Sequence, residues 1–214
     1  MFFTNLSTAA TLAGANIKLN ITVTCNRLFD LIKSGVRHRP DYIIVGEIRG
    51  SEAYVMFQAM ATGHGGLCTM HADSYDSAAK RLQQKPMDIP AAYLPLMNCA
   101  IVIRRIKNSV TGQSARRAIS LEEIQSATKS NSVFKWDPRT DYYESNIQQS
   151  VLLQRIAEQT GQTFEDILIE YEKRIKIIRY MQERDIRDFR EVAQVVGRYY
   201  RDPKALMEKI ERST

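Results

Sequence analysis

Residues 37–53 read RHRPDYIIVGEIRGSEA, and this stretch decides the fold. Tyr42–Val45 is a short continuous apolar run, the pattern of a strand buried on both faces. Pro40 ends any helix that comes before it. Gly46 closes the run, and a carboxylate, Glu47, follows at once. In open α/β sheets, ligands bind beyond the carboxyl ends of the strands. A carboxylate there is placed to hold the water shell of Mg2+ or to polarise an attacking water. Arg49, two residues on, is placed to meet phosphate or an acidic partner.

Working outward, residues 17–24 (IKLNITVT) alternate Ile17, Leu19, Ile21 and Val23 with polar neighbours, which predicts a strand. Leu28, Leu31, Ile32 and Val36 predict a helix from about Asn26 to His38. Ser51 is placed to cap a helix to about Thr62, with Tyr54, Val55, Phe57, Met60 and Ala61 apolar. Gly63, Gly65 and Gly66 break it, and residues 67–70 (LCTM) read as a second buried strand. Asp73 or Ser74 caps a helix to about Gln84, and residues 99–106 (CAIVIRRI) form a further strand. Strand and helix thus alternate over residues 17–107, the pattern of a parallel α/β sheet.

Beyond Lys107 the character changes. NSVTGQS is a turn, and ARRAISLEEI and SVFKW, separated by SATKSN, predict a β-hairpin at the sheet edge. From about Asn146 the pattern is helical throughout. Thr163 with Asp166 resembles a capping box, and Asp188 with Glu191 repeats the spacing. Asp202–Pro203 is a third helix start. The helix from Phe164 carries Ile167, Leu168, Tyr171, Ile175, Ile178 and Met181 as one stripe. The expected division is therefore 1–107 for the α/β core, 108–145 for the hairpin and 146–214 for the helical region.

Composition admits this reading. The 214 residues are 44% hydrophobic and 25% charged, enough to bury a sizeable core. The net charge of +6 is spread along the chain and suits phosphate ligands, nucleic acid or an anionic membrane face. Cys25, Cys68 and Cys99 match no disulfide framework, which favours a reducing compartment. No run approaches the roughly 18 apolar residues of a membrane span. The opening MFFTNLSTAATLAGANIKLN lacks a positive n-region and reads as cytosolic chain rather than as a signal peptide.

A second stretch, GHGGLCTMHADS at residues 63–74, puts Thr69 and His71 at the carboxyl end of its strand. That strand would lie close to the Glu47 strand, so both tips would face one crevice. A histidine there can donate to a terminal phosphate. The plain alternative is a strand end with a solvated Glu and Arg for the first stretch, and a capped strand end with an incidental histidine for the second.

Other patterns carry less. His64, Cys68 and His71 hint at zinc, but a fourth ligand is missing and strand geometry sets Cys68 and His71 on opposite faces. Cys68 and Cys99 read as core. Arg174, Lys176, Arg179, Arg184, Arg187 and Arg190 could suggest a DNA-reading helix pair. Interleaved Glu170, Glu172, Glu183, Asp185 and Glu191 weaken a phosphate-tracking face, so no nucleic acid is expected. Glu165, Asp166, Glu170 and Glu172 fit a helix start and its exposed face rather than acid–base work.

PDYIIVGEIRGSEA resembles the Walker B segment of type II/type IV secretion and pilus-assembly ATPases, and GHGGLCTMHADS resembles their histidine box. RLQQKPMDIP, CAIVIRRI, VFKWDPRTDYYE, IRDFREVAQVV and YYRDP resemble the branch that drives archaeal pili and archaella. The likeness covers residues 26–212 or so. It implies an α/β fold: the C-terminal part of a RecA-like P-loop ATPase core, with an edge hairpin and a helical tail. It implies hydrolysis of ATP with Mg2+ in a homo-hexameric ring that drives protein export or filament assembly. The ring would be cytoplasmic, peripheral to the cytoplasmic membrane, and would work against a membrane platform protein. By the same resemblance Glu47 is catalytic and holds Mg2+ through water, and His71 senses the γ-phosphate. Gly46, Thr69, Arg37 and Arg49 fall on the nucleotide side.

One departure stands out. None of the ten glycines begins a Gly-x-x-x-x-Gly-Lys-Ser/Thr loop, the backbone cradle for phosphates. The family's acidic box is missing as well. The expectation is therefore the C-terminal half of a motor ATPase, inactive alone. The alternative is a catalytically silent subunit that docks on a full-length homologue.

Overall fold

The computed structural model describes residues 2–4, 28–107 and 114–212. The strand expected over 17–24, Cys25, the helix start at Asn26 and residues 108–113 of the NSVTGQS turn lie outside the described residues. The chain forms two compact units that divide between Leu152 and Leu153.

The first unit holds β1 (Phe2–Thr4), α1 (Leu28–Arg37), β2 (Tyr42–Val45), α2 (Glu52–Ala61), β3 (Gly65–Thr69) and α3 (Tyr75–Gln83). A 3-10 turn at Ala91–Met97 leads to β4 (Cys99–Lys107), β5 (Ser114–Ile124), β6 (Ser130–Asp137) and β7 (Tyr142–Ser145). All seven strands share one sheet in the order β2-β3-β1-β4-β5-β6-β7. β2 and β3 are parallel, with Ile44 opposite Leu67 and Val45 opposite Cys68, so their carboxyl ends lie side by side.

Among the described residues, the expected parallel pairing is realised in that pair alone. β1 runs antiparallel between β3 and β4, and β4 through β7 are antiparallel throughout. Connection length explains the split. Parallel neighbours need a crossover of a dozen or so residues; α2 provides it between β2 and β3, whereas the links from β4 to β7 are short. The hairpin expected from sequence is one part of this meander. Its last strand, β7, follows a turn in which Asp141 has φ 58°.

The core lies on the Val45, Cys68 and Ala100 side, packed by Met56, Phe57 and Met60 of α2 and by Ala78, Ala79 and Leu82 of α3. β2 was expected to be buried on both faces. Val45 is 3% exposed, but Ile44 is 73% exposed. Successive strand residues point to opposite faces, so the Ile44 side is open among the described residues.

The glycines of GHGG have distinct work. α2 ends in a Schellman motif, with Gly63 N–H donating to Met60 C=O and His64 N–H to Ala59 C=O, both at 3.1 Å. Gly63 takes φ 96°, which glycine adopts without strain. A Cβ on Gly66 would meet Met60 Sδ at 2.7 Å and Met56 Cε at 3.1 Å, so its absence lets α2 press onto β3.

Helix caps follow sequence with one correction. Ser74 caps α3, accepting from Ser77 N–H. Ser51 makes no capping bond at α2. The first-turn N–H groups of Ala53 and Tyr54 bond Gly50 C=O and Ser51 C=O, while the Glu52 carboxylate folds back on the loop ahead of the helix, accepting from Arg49 N–H at 2.6 Å and Gly50 N–H at 2.8 Å. Glu123, only 3% exposed, is satisfied by the Ser150 hydroxyl, Asn131 Nδ2 and Val151 N–H, and so fixes the start of α4 (Val151–Thr160).

The second unit continues α4 and adds α5 (Phe164–Glu183), α6 (Phe189–Arg201) and α7 (Pro203–Glu211). Thr163 and Asp166 form both halves of a capping box, and Asp188 and Asp202 cap α6 and α7. Ile177, Tyr180, Tyr199, Leu206 and Ile210 form the core of this unit. Of the stripe expected on α5, Ile167 is buried and Met181 packs against the core, but Ile178 is 60% exposed and Ile177 and Tyr180 are buried instead. Glu170, expected on the exposed face, instead accepts from Tyr199 Oη at 2.7 Å and from Arg174 Nε at 3.0 Å. A polar join between α5 and α6 thus sits where a solvated face was expected.

Candidate functional site

Glu47 stands two residues past Val45, the last residue of β2, and the backbone around it is held from both sides. The Thr69 hydroxyl donates to Gly46 C=O, and Ile48 N–H donates to Thr69 C=O at 2.9 Å. The parallel pairing thereby extends past the strand ends and sets Glu47 beside the start of the histidine loop. Ile48, 1% exposed, anchors the far side in the core.

The half-buried Glu47 carboxylate is engaged on both oxygens. Arg49 Nε reaches Oε1 and Nη2 reaches Oε2, each at 2.6 Å. His71 Nε2 lies 3.2 Å from Oε1. The hydrogen bond from Arg49 holds the Glu47 carboxyl below the usual carboxylate range; partial burial opposes this, and the charges of Arg49, His71 and Arg81 add to it. Glu47 is therefore an anion at neutral pH. Glu52 places Arg49 by folding residues 49–52 over its own carboxylate.

The loop that carries His71 is tied down by two arginines. Arg81 Nη1 donates to His71 C=O at 2.9 Å, and Arg104 Nη2 donates to Asp73 C=O at 2.8 Å. Sequence reasoning missed Arg81, Arg104 and Glu52. A signal existed for Arg81: on α3, a long side chain past Ser74 leans toward the helix N-terminus, where the loop lies.

The structure brings Gly46, Glu47, Arg49, Thr69 and His71 together. It does not bring Arg37 to them: Arg37 ends α1 ahead of the amino end of β2, whereas Glu47 follows the carboxyl end. His64 stands before β3, its Nδ1 against Ala59 C=O and the Thr62 hydroxyl, while His71 lies past the other end of that strand. Cys68 between them is buried, which pushes its thiol up to about 12. The zinc pattern is thus spread along a strand.

Chemically, the cluster offers one carboxylate acceptor, one guanidinium and one imidazole at the tip of two parallel strands. Mg2+ is held in such sites by one or two carboxylates plus substrate phosphates. Glu47 fits that share, though Arg49 occupies both of its oxygens here. Among the described residues no group of three or more His, Cys, Asp or Glu is arranged to hold a metal by itself, so phosphate oxygens and water would complete the shell. No described helix is long and apolar enough to cross a membrane.

A model of the type II/IV secretion system protein family matches residues 12–140. Uncharacterized protein MJ1287 of Methanocaldococcus jannaschii is 37% identical over 158 residues, covering 71% of this chain and 57% of that protein. Uncharacterized protein MJ0900 of the same organism is 36% identical over 182 residues, 81% of this chain and 33% of that protein. Type IV secretion system protein PtlH of Bordetella pertussis is 35% identical over 98 residues, 42% of this chain and 29% of that protein. The chain thus spans between 29% and 57% of the length of these relatives.

Proposed function

The chain belongs to the type II/IV secretion system protein family, and from that premise we propose that it carries the glutamate-and-histidine half of a motor ATPase site. The motor would couple ATP hydrolysis to protein export or filament assembly. In this reading residues 1–107 are the C-terminal part of a RecA-like core, and Glu47 occupies its Walker B position. The observation that carries the proposal is the contact of Glu47 with both Arg49 and His71 at the adjacent tips of β2 and β3. A carboxylate, a guanidinium and an imidazole at one strand tip can orient water, neutralise phosphate charge and register a terminal phosphate.

Mg2+, when bound, supplies charge neutralisation between phosphate oxygens. Glu47 would hold its water shell, and Arg49, which bonds both carboxylate oxygens here, would have to release at least one of them. Freed, Arg49 is a phosphate ligand. His71 donates to the terminal phosphate, and Thr69 and Gly46 keep Glu47 in register. Arg37, away from this cluster, contributes to a neighbouring subunit's surface in a homo-hexameric ring. The ring works beside a membrane platform protein at the cytoplasmic face and takes no nucleic acid.

The 214 residues contain no Gly-x-x-x-x-Gly-Lys-Ser/Thr segment, so the phosphate cradle comes from outside them. These residues alone are then inactive. A direct test follows His71 side-chain NMR signals while Mg·ATP or Mg·ADP is added together with a phosphate-loop segment from a family member. The proposal expects His71 to respond to ATP and not to ADP; equal responses count against γ-phosphate sensing.

A second reading is a silent subunit that docks on a full-length homologue. The open sheet face at Ile44, 73% exposed, favours it. Co-purification with such a homologue, and a change in its turnover, would select this reading over the first.

A further inference from the structure

His71 presents a problem of control. Its side chain is 79% exposed, and its contact with Glu47 is a single one at 3.2 Å. An exposed imidazole samples several staggered rotamers. Where it points then depends on how firmly its backbone is held.

That backbone is held at two places. Arg81 Nη1 bonds His71 C=O at 2.9 Å, and Arg104 Nη2 bonds Asp73 C=O at 2.8 Å, so Ala72 lies between two clamped carbonyls. The clamps come from different elements, α3 and β4. Ser74 adds the cap that starts α3. Bonds from a guanidinium are charge-assisted, shorter and stronger than neutral ones. Guanidinium groups usually go to carboxylates, yet among the described residues neither Arg81 nor Arg104 forms a salt bridge. Both are directed at main-chain oxygens of one short loop.

We infer that Arg81 and Arg104 are the positioning residues of His71, fixing its loop from two sides so that the imidazole meets Glu47. Neither need touch substrate; Arg104 acts through His71, and Arg81 does so besides adding its charge to those of Arg49 and His71 around Glu47. The inference rests on reading Glu47 and His71 as a working pair. It also gives α3 and β4 a route to the site: a shift of either element moves a carbonyl next to His71.

The test needs no nucleotide, so its failure is separable from failure of the ATPase reading. In the unmodified chain, Glu47→Gln should shift the His71 side-chain NMR resonances. In Arg81→Met or Arg104→Met backgrounds that shift should fall by about twofold or more, the sign of lost coupling between neighbours. Amide exchange at Ala72, Asp73 and Ser74 should rise in the same variants. A general loss of stability would raise exchange everywhere without selectively uncoupling His71 from Glu47. If either Met variant fails to fold, Arg81→Lys replaces it; the compact amine lacks the guanidinium fork and should weaken the coupling in a folded chain. Undiminished coupling in the folded Met variants, or in Arg81→Lys where those fail, overturns the inference. Should the coupling fall while an assembled ATPase loses no turnover on Arg81→Met, the positioning stands and the catalytic reading of the pair fails.

Discussion

Arg49 grips Glu47 with two parallel bonds of 2.6 Å, Nε to Oε1 and Nη2 to Oε2, while the carboxylate also meets His71. The pair is a latch on the very oxygens an Mg2+ shell would need. Arg49→Met should raise the Glu47 carboxyl pKa toward its ordinary value, read by carboxyl-carbon NMR against pH. The sign follows from the depressed folded value: any stability from this pair is present above the unfolded pKa and is lost as pH falls through the folded one. Exposed ion pairs stabilise little, so the melting temperature should barely move.

Gly65 makes a sharper structural demand. A Cβ there would stand 2.5 Å from Tyr42 Cδ1 and 3.0 Å from Asp41 C=O. Gly65→Ala should therefore destabilise the first unit by about 1–3 kcal/mol, the usual range for overpacking. Adding Tyr42→Ala should recover part of the loss in denaturant melts. Full stability of Gly65→Ala alone would contradict the close fit of β2 on β3.

The chain's one tryptophan reports on the outer strands. Trp136 Nε1 donates to Asp141 Oδ1 at 2.7 Å, and Arg117 binds both Asp141 oxygens at 2.9 Å. The Arg117 bond, with Trp136 second, lowers the Asp141 carboxyl to about 2. Its contribution is thus complete above the usual Asp range and disappears as pH falls through about 2. Tryptophan emission should hold steady down to mild acid and change near that pH. Arg117→Met should move the change to higher pH.

In the helical unit, Tyr199 joins α6 to Glu170 of α5. Hydrogen bonds to charged groups contribute about 1.5–3 kcal/mol, and the partial exposure of Glu170 puts Tyr199→Phe at the low end. Burial, then the Glu170 bond, raises the Tyr199 phenol to about 12. A raised folded pKa gives stability that is whole below the unfolded value near 10 and lost as pH climbs through about 12. Helical signal should fall in that alkaline window, and less so in Tyr199→Phe.

Local chemistry made much of this legible in advance. The apolar run Tyr42–Val45, the glycine break at 63–66 and the caps at Ser74, Thr163, Asp188 and Asp202 each leave a signature within a few residues. Glu47 and His71 were readable for the same reason, as polar residues at strand ends. What escaped depends on partners distant in the chain. Arg81 and Arg104 act on main-chain oxygens ten and 31 residues away, and no spacing rule marks such bonds. The antiparallel β1 and the open side at Ile44 depend on which strand lies next to which. Glu170 reads as surface charge until Tyr199, 29 residues on, is placed against it.

In the proposed site Glu47 is the working carboxylate, and the phosphate cradle lies outside these residues. Mg-dependent ATP hydrolysis tests it most directly, with Glu47 and Glu47→Gln chains compared alone and with a phosphate-loop segment from a family member. The expected result is no turnover by either chain alone, turnover by the Glu47 chain once the cradle is supplied, and a loss of about 100-fold or more in Glu47→Gln. Turnover by the chain alone that Glu47→Gln abolishes would contradict the missing cradle. Equal turnover by both chains with the cradle present would contradict the role given to Glu47.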